Sequence, residues 1–367
     1  MIIGDRRGNV WLAVLSTLLT LLAIESGLRL FARVEDAGLL DARFTDGVEP
    51  PADGPADLGH LIRLSRHRRV VYELKPGLDV TYAGVRVRTN GQGLRSPHAP
   101  EDFARAGLRV VGLGDSFMFG YGVTDEEPYL AVLERLTRER LPRLDARFLN
   151  TAVPGYNTVM EVETLEEKAL AYRPQLVILE FVGNDLELPN FVRRKRDVLT
   201  LRRSFLADLV KGRRWRSDLT FVQKLAEHGL EPAPVAEGVP AELRDMVGWE
   251  AYAQALRQLL RLSREQGFEV LSICLAEPDS LNRRALELAT DLGFRVVDLA
   301  PTFRKYLADR GIAGSYLGSP LALGPDDGHP SALGHEVAAR ALFRYLRHHG
   351  LLERRSEITA ARTPATG

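Results

Sequence analysis

A serine that follows a buried strand and opens a helix is placed to act as a nucleophile. Residues 109–123, RVVGLGDSFMFGYGV, have that form around Ser116. Gly112 and Gly114 are small enough to let the chain turn sharply and lift the hydroxyl to a sheet edge. The N–H groups of such a turn are then free to receive an oxyanion. Two plainer readings stand beside this one. Ser116 would also serve as the N-cap of the following helix. A phosphate loop would need glycine at its third position, where the chain has Phe117.

A hydroxyl is a weak nucleophile at neutral pH and needs a base, and an imidazole base needs an orienting carboxylate. The stretch Asp326-Asp327-Gly328-His329-Pro330 supplies both. Asp326 and His329 stand three residues apart on one loop, ahead of a helix that Ser331 can cap. A carboxylate at that spacing reaches the near ring nitrogen while the far nitrogen faces the serine. Asp327 is the neighbouring alternative. Two further stretches hold small and amide residues, Asn150–Thr158 around Gly155, and Phe181–Asp185 around Asn184. Each is also compatible with turn chemistry alone.

These motifs are tied together by the elements that must carry them. Short apolar runs recur at 107–113, 146–150, 175–181, 268–274 and 294–300. Helical patterns lie between them, such as Tyr129/Leu133/Leu136 and Tyr252/Leu256/Leu259/Leu260. Strands alternating with helices predict an α/β fold with a five-stranded parallel sheet covered on both faces. Ligands of such sheets bind beyond the carboxyl ends of the strands. The serine, Gly155 and Asn184 motifs each follow a predicted strand, and the histidine motif lies in the final loop.

Four blocks in this order resemble the SGNH hydrolases, or GDSL esterases: Gly114-Asp115-Ser116, Gly155, Asn184 and Asp326-x-x-His329. The resemblance covers roughly residues 107–348. It implies a flavodoxin-like three-layer α/β/α sandwich, with Ser116 as nucleophile, His329 as base and Asp326, by the family spacing, as its orienter. It implies an oxyanion hole made by the backbone N–H groups of Ser116 and Gly155 and the side chain of Asn184. The family's glycine before x-N-D falls here at Val182, with Gly183 one place later; Val182 still offers a backbone N–H. No metal or organic cofactor is implied. The implied activity is hydrolysis of an acyl ester, acetyl or short-chain, of a small molecule or carbohydrate, through an acyl-enzyme. The alternative is a membrane-anchored O-acyltransferase that moves an acetyl group to or from an envelope polysaccharide. Other titratable residues take plainer roles. Asp115 and Asp185 fix loops, His335 lies on a helix surface or packs, and Cys274 is a core residue.

The whole chain sets limits on these readings. It has 367 residues, with 49 Lys+Arg against 49 Asp+Glu and a single cysteine. Zero net charge argues against nucleic acid as the main partner, and one cysteine excludes an intrachain disulfide. Gly8–Ile24 contains no charge and is mostly apolar, about 26 Å as a helix at about 1.5 Å per residue. With Arg6 and Arg7 before it and no small-x-small cleavage site soon after it, the segment reads as an uncleaved anchor holding the catalytic part outside the cytoplasm, with a cleaved signal peptide and a buried soluble helix as the alternatives. The expected organisation is an anchor at 1–34, a tether at 35–69, a small antiparallel β-unit at 70–106, the hydrolase-like domain at 107–349 and a disordered tail at 350–367. An insertion occupies about 186–250. Its stretch 191–216 holds ten Arg/Lys against Asp197 and Asp208. That stretch is read as a solvated helical insertion, a cap over the site, or a patch docking on an anionic surface.

Overall fold

A computed structural model describes residues 6–35, 54–192, 198–201, 204–211, 238–275 and 280–352. Ahead of the main sheet, four short strands form two separate antiparallel pairs: β1 (Ile62–Leu64) with β2 (Tyr72–Leu74), and β3 (Asp79–Tyr82) with β4 (Val85–Arg88). Ala83 and Gly84, both at positive φ (49° and 80°), make the two-residue turn between β3 and β4. The first pair corrects the expected tether at 35–69. From residue 54 this segment is built into the protein. Asp57 caps the helical turn Leu58–Leu61, Ala56 bridges to Tyr82, and Leu61 and Ile62 are fully buried.

The five apolar runs become one parallel sheet: β5 (Leu108–Leu113), β6 (Ala146–Asn150), β7 (Leu176–Glu180), β8 (Glu269–Cys274) and β9 (Arg295–Asp298), in the order β6-β5-β7-β8-β9. This is the flavodoxin-like order, in which the chain reverses direction across the sheet beside its first strand. Right-handed crossovers on the two sides of that point put helices on opposite faces. Helix Tyr129–Arg140 packs with the last helix, Ala332–His348, and helix Thr158–Glu167 packs with Gly248–Gln266. β7 is buried along its whole length, which is why its sequence is unbroken Leu-Val-Ile-Leu. Gly112 is explained by close approach. Its φ is not positive, and a Cβ there would overlap Leu130 and come within 2.7 Å of the Met118 sulfur.

The insertion is not one solvated excursion. Its first residues return to the core through Leu186, Phe191 and Val192, and its last through Val239, Leu243 and Met246. Of the basic stretch, residues 193–197, 202–203 and 212–216 lie outside the described residues, as do 353–367 of the expected tail, whereas Leu351 and Leu352 are buried. The N-terminal segment is a single helix, Arg6–Glu35. Its span Val10–Val34 has a mean hydropathy of 1.8, is long enough to cross a membrane, and is exposed along most of its length, with Ala32 buried.

Candidate active site

Ser116 opens the short helix Ser116–Phe119 directly beyond β5, at the point where the sheet order reverses. Asp115, not Ser116, is the cap of that helix; its carboxylate accepts the N–H of Phe117 at 3.0 Å. As the first residue of the helix, Ser116 has a backbone N–H with no intrahelical acceptor. Its hydroxyl lies 2.9 Å from His329 Nε2 and 3.2 Å from Asp115 Oδ2.

The loop before the last helix brings His329 to this hydroxyl from 213 residues away. Its other nitrogen, Nδ1, meets a carboxylate oxygen at 2.6 Å, and that oxygen belongs to Asp327. The same oxygen accepts the backbone N–H of His329 at 3.0 Å. The expectation for Asp326 is therefore corrected: Asp326 is exposed, and its neighbour turns inward. A carboxylate on Nδ1 selects the tautomer whose Nε2 accepts from a hydroxyl. The His329 side chain is 25% exposed and that of Asp327 41%, so the hydrogen-bonded pair sits at the surface rim, where a polar contact of this kind adds little to stability. Two rings frame the imidazole, Tyr121 at 4.5 Å and Phe117 at 5.0 Å between centroids.

Gly155 and Asn184 reach the same edge of the sheet. Gly155 has φ +80°, and a Cβ there would overlap the side chain of Asn190. The Asn184 amide donates to Asp115 Oδ2 at 2.9 Å, so Asp115 joins the serine helix to the Asn184 loop. Val182 proves unavailable as an extra donor, because its N–H is taken by Asp185 Oδ2 at 3.1 Å.

Much of what holds these loops lies outside the four blocks. The hydroxyl of Tyr72, on β2, donates to the carbonyl of Pro154 at 3.0 Å, and the Tyr156 hydroxyl donates back to the Tyr72 carbonyl. Both ends of the insertion grip the same loop: the Asn157 amide donates to the carbonyls of Glu187 (2.9 Å) and Met246 (3.0 Å). Tyr82, on β3, meets Tyr121 edge-on at 5.6 Å. The buried Arg95 pairs with Asp125 and donates to the carbonyls of Phe119, Gly120 and Val123, so it fixes the chain that leaves the serine helix. An arginine, unlike a lysine, has enough donors in one plane to serve all of these partners.

Beneath the site, Glu161, Glu180 and Asp185 are buried together, close to Asp115. Burial, and then the neighbouring carboxylates, push all three carboxyls well above the ordinary range. Neither oxygen of Glu161 has a hydrogen-bond partner among the described residues. Below about pH 4.5 both folded and unfolded chains carry the Glu161 proton. Above that only the folded chain keeps it, so stability falls as pH rises, by at most about 1.4 kcal/mol per pH unit for one carboxyl. Glu161→Gln is expected to match the parent in urea near pH 4 and to exceed it by a growing margin as pH rises from there. A difference that does not change with pH would mean that Glu161 is ionised in the fold. His335 is fully buried; burial, followed by the charges of Arg95 and His329, lowers it to about 3. Its Nδ1 accepts the N–H of Tyr129 at 3.2 Å, which makes it a packing residue.

The profile of the GDSL-like lipase/acylhydrolase family matches residues 113–337. Solved structures similar in fold include LAE5, an alpha/beta hydrolase enzyme from the metagenome of Lake Arreo, Spain, at 19% identity and a TM-score of 0.40, covering 68% of this chain and 97% of that one. The W215I variant of Axe2, an acetyl xylan esterase from Geobacillus stearothermophilus, is 18% identical with a TM-score of 0.41, covering 65% and 94%. A putative lipolytic protein of the G-D-S-L family from Desulfitobacterium hafniense is 16% identical with a TM-score of 0.36, covering 64% and 97%. No curated protein matches the chain.

Proposed function

Since the chain belongs to the GDSL-like lipase/acylhydrolase family of ester-hydrolysing enzymes, we propose that it cleaves an acyl ester with Ser116 as nucleophile, His329 as general base and Asp327 as the carboxylate that orients it. The reading is carried by the hydroxyl–imidazole–carboxylate chain, 2.9 Å and 2.6 Å long at its two links. In this mechanism Ser116 Oγ attacks the ester carbonyl while its proton passes to His329 Nε2. The carbonyl oxygen becomes an oxyanion, received by the N–H groups of Ser116 and Gly155 and by the Asn184 amide. One such donor is worth about 2.7–4 kcal/mol where it has been removed by mutation. Collapse expels the alcohol, which takes the proton from His329, and leaves an acyl-serine. Water, deprotonated by the same imidazole, then releases the acid and restores the hydroxyl.

A rim-level site, only partly buried and walled by Phe117 and Tyr121, suits a short acyl group on a bulky alcohol such as an acetylated carbohydrate. The apolar helix Arg6–Glu35, with Arg6 and Arg7 ahead of its uncharged run, supports a membrane anchor with the sandwich outside the cytoplasm. The purified full-length protein, given an acetylated glycan, is expected to release acetate at a rate that free sugar acceptors leave unchanged. Acetate release suppressed in favour of acetylated acceptor would identify an acyltransferase instead.

A further inference from the structure

The N-terminal helix is tied to the insertion at the level where its apolar run ends. Ile24 closes the uncharged stretch, and Glu25 is the next residue. The Glu25 carboxylate accepts the N–H groups of Phe205 (3.0 Å) and Leu206 (2.8 Å) and the hydroxyl of Ser204 (3.0 Å), at the start of the short helix Phe205–Val210. One turn further on, Arg29 pairs with Glu25, donates to the carbonyls of Val198 and Thr200, and lies over the Phe205 ring at 5.1 Å. Ala32, another turn along, is buried.

Residues 198–201 and 204–210 are thus held against the helix within about two turns of the end of its uncharged run, some 10 Å at about 1.5 Å per residue. What they turn outward is apolar: Leu201 is 97% exposed, Val210 79% and Leu209 62%. Leu30, Phe31 and Val34 on the N-terminal helix are exposed as well. The flanking sequence is basic, from Arg193 to Arg196 and at Arg202, Arg203 and Lys211. Large apolar side chains beside Lys and Arg, at the boundary of a membrane-length helix, are the composition of an element that lies in the headgroup region of an anionic bilayer.

We propose that residues 198–201 and 204–211 form a membrane-interface foot, inserting Leu201, Leu209 and Val210 at the headgroup boundary and, through Glu25 and Arg29, setting the catalytic sandwich at a fixed orientation above the bilayer. The proposal rests on the anchor reading above. Together the helix and the foot give two points of attachment where a helix alone would act as a swivel.

The single native cysteine, Cys274, is buried in β8, so an introduced surface cysteine is selectively labelled in the folded protein. Nitroxide labels at Leu201→Cys, Leu209→Cys and Val210→Cys are compared with Leu18→Cys on the apolar run and Lys305→Cys on an exposed helix. The full-length protein is reconstituted in phosphatidylcholine–phosphatidylglycerol vesicles, and collision with oxygen is measured against collision with a water-soluble nickel complex. The three foot positions are expected to shift from the Lys305 value toward the Leu18 value. If Leu18 reads as lipid while all three read as water, the foot is refuted and the anchor stands. If Leu18 also reads as water, the anchor reading fails, and the foot with it. Spin–spin broadening among the foot labels would assign the patch to a second copy of the chain and overturn the proposal.

Discussion

Replacing Ser116 with alanine is expected to reduce turnover of a p-nitrophenyl acyl ester by at least about a thousandfold, the scale on which other serine triads respond to loss of the nucleophile. The variant should fold as the parent does. The hydroxyl caps nothing, because Asp115 holds the helix start, and the loss of one half-buried oxygen leaves the β5 turn intact. What remains after the substitution is binding and the oxyanion donors, which act on an attacking water without a covalent intermediate. A burst of p-nitrophenol equal to the enzyme concentration should precede the parent's steady state and vanish in Ser116→Ala. An unchanged rate would remove Ser116 from the chemistry.

The second large effect separates two adjacent carboxylates. Asp327→Asn is expected to lower kcat by about a thousandfold to ten-thousandfold, whereas Asp326→Asn leaves it within about twofold. An amide at position 327 presents a donor or a weaker acceptor to Nδ1, which favours the tautomer with its proton on Nε2, where it blocks acceptance from Ser116. It also gives up charge stabilisation of the imidazolium that forms during attack. Asp326 points into solvent and touches neither nitrogen. The reverse result, activity lost in Asp326→Asn and kept in Asp327→Asn, would overturn the orientation of this loop. Thermal unfolding separates the effect from stability, since a surface pair of this exposure contributes little to the fold.

Most of the sheet was legible because burial on both faces writes an uninterrupted apolar run: 146–150 is the strand β6 itself, and the other four runs match to within one or two residues per end. The meeting of Ser116 with His329 was legible from where the motifs fall relative to those strands. The choice of carboxylate was not. Two consecutive aspartates on a loop differ by one backbone step, which turns one inward and the other outward, and no periodicity records which. Spacing carried over from the family decided for Asp326, and the shorter Asp327–Gly328–His329 loop decided otherwise. Gly112 carries the same lesson, since a glycine that admits Leu130 and a glycine that makes a turn look alike in sequence. The residues that brace the site, Tyr72, Tyr82, Arg95 and Asn157, were missed for another reason. Their partners lie far along the chain, as with Tyr72 and Pro154, separated by 82 residues, and such pairings leave no local pattern.

The contact between Ser116 and His329 closes a loop of 213 residues. Local helices and neighbouring strands form before an encounter of that span, whose closure carries the larger entropic cost. A chain growing from its N-terminus therefore exposes its hydroxyl long before the imidazole exists. On the proposed mechanism, reactivity switches on only when the loop ahead of the final helix docks, so an unfinished polypeptide carries Ser116 without its base.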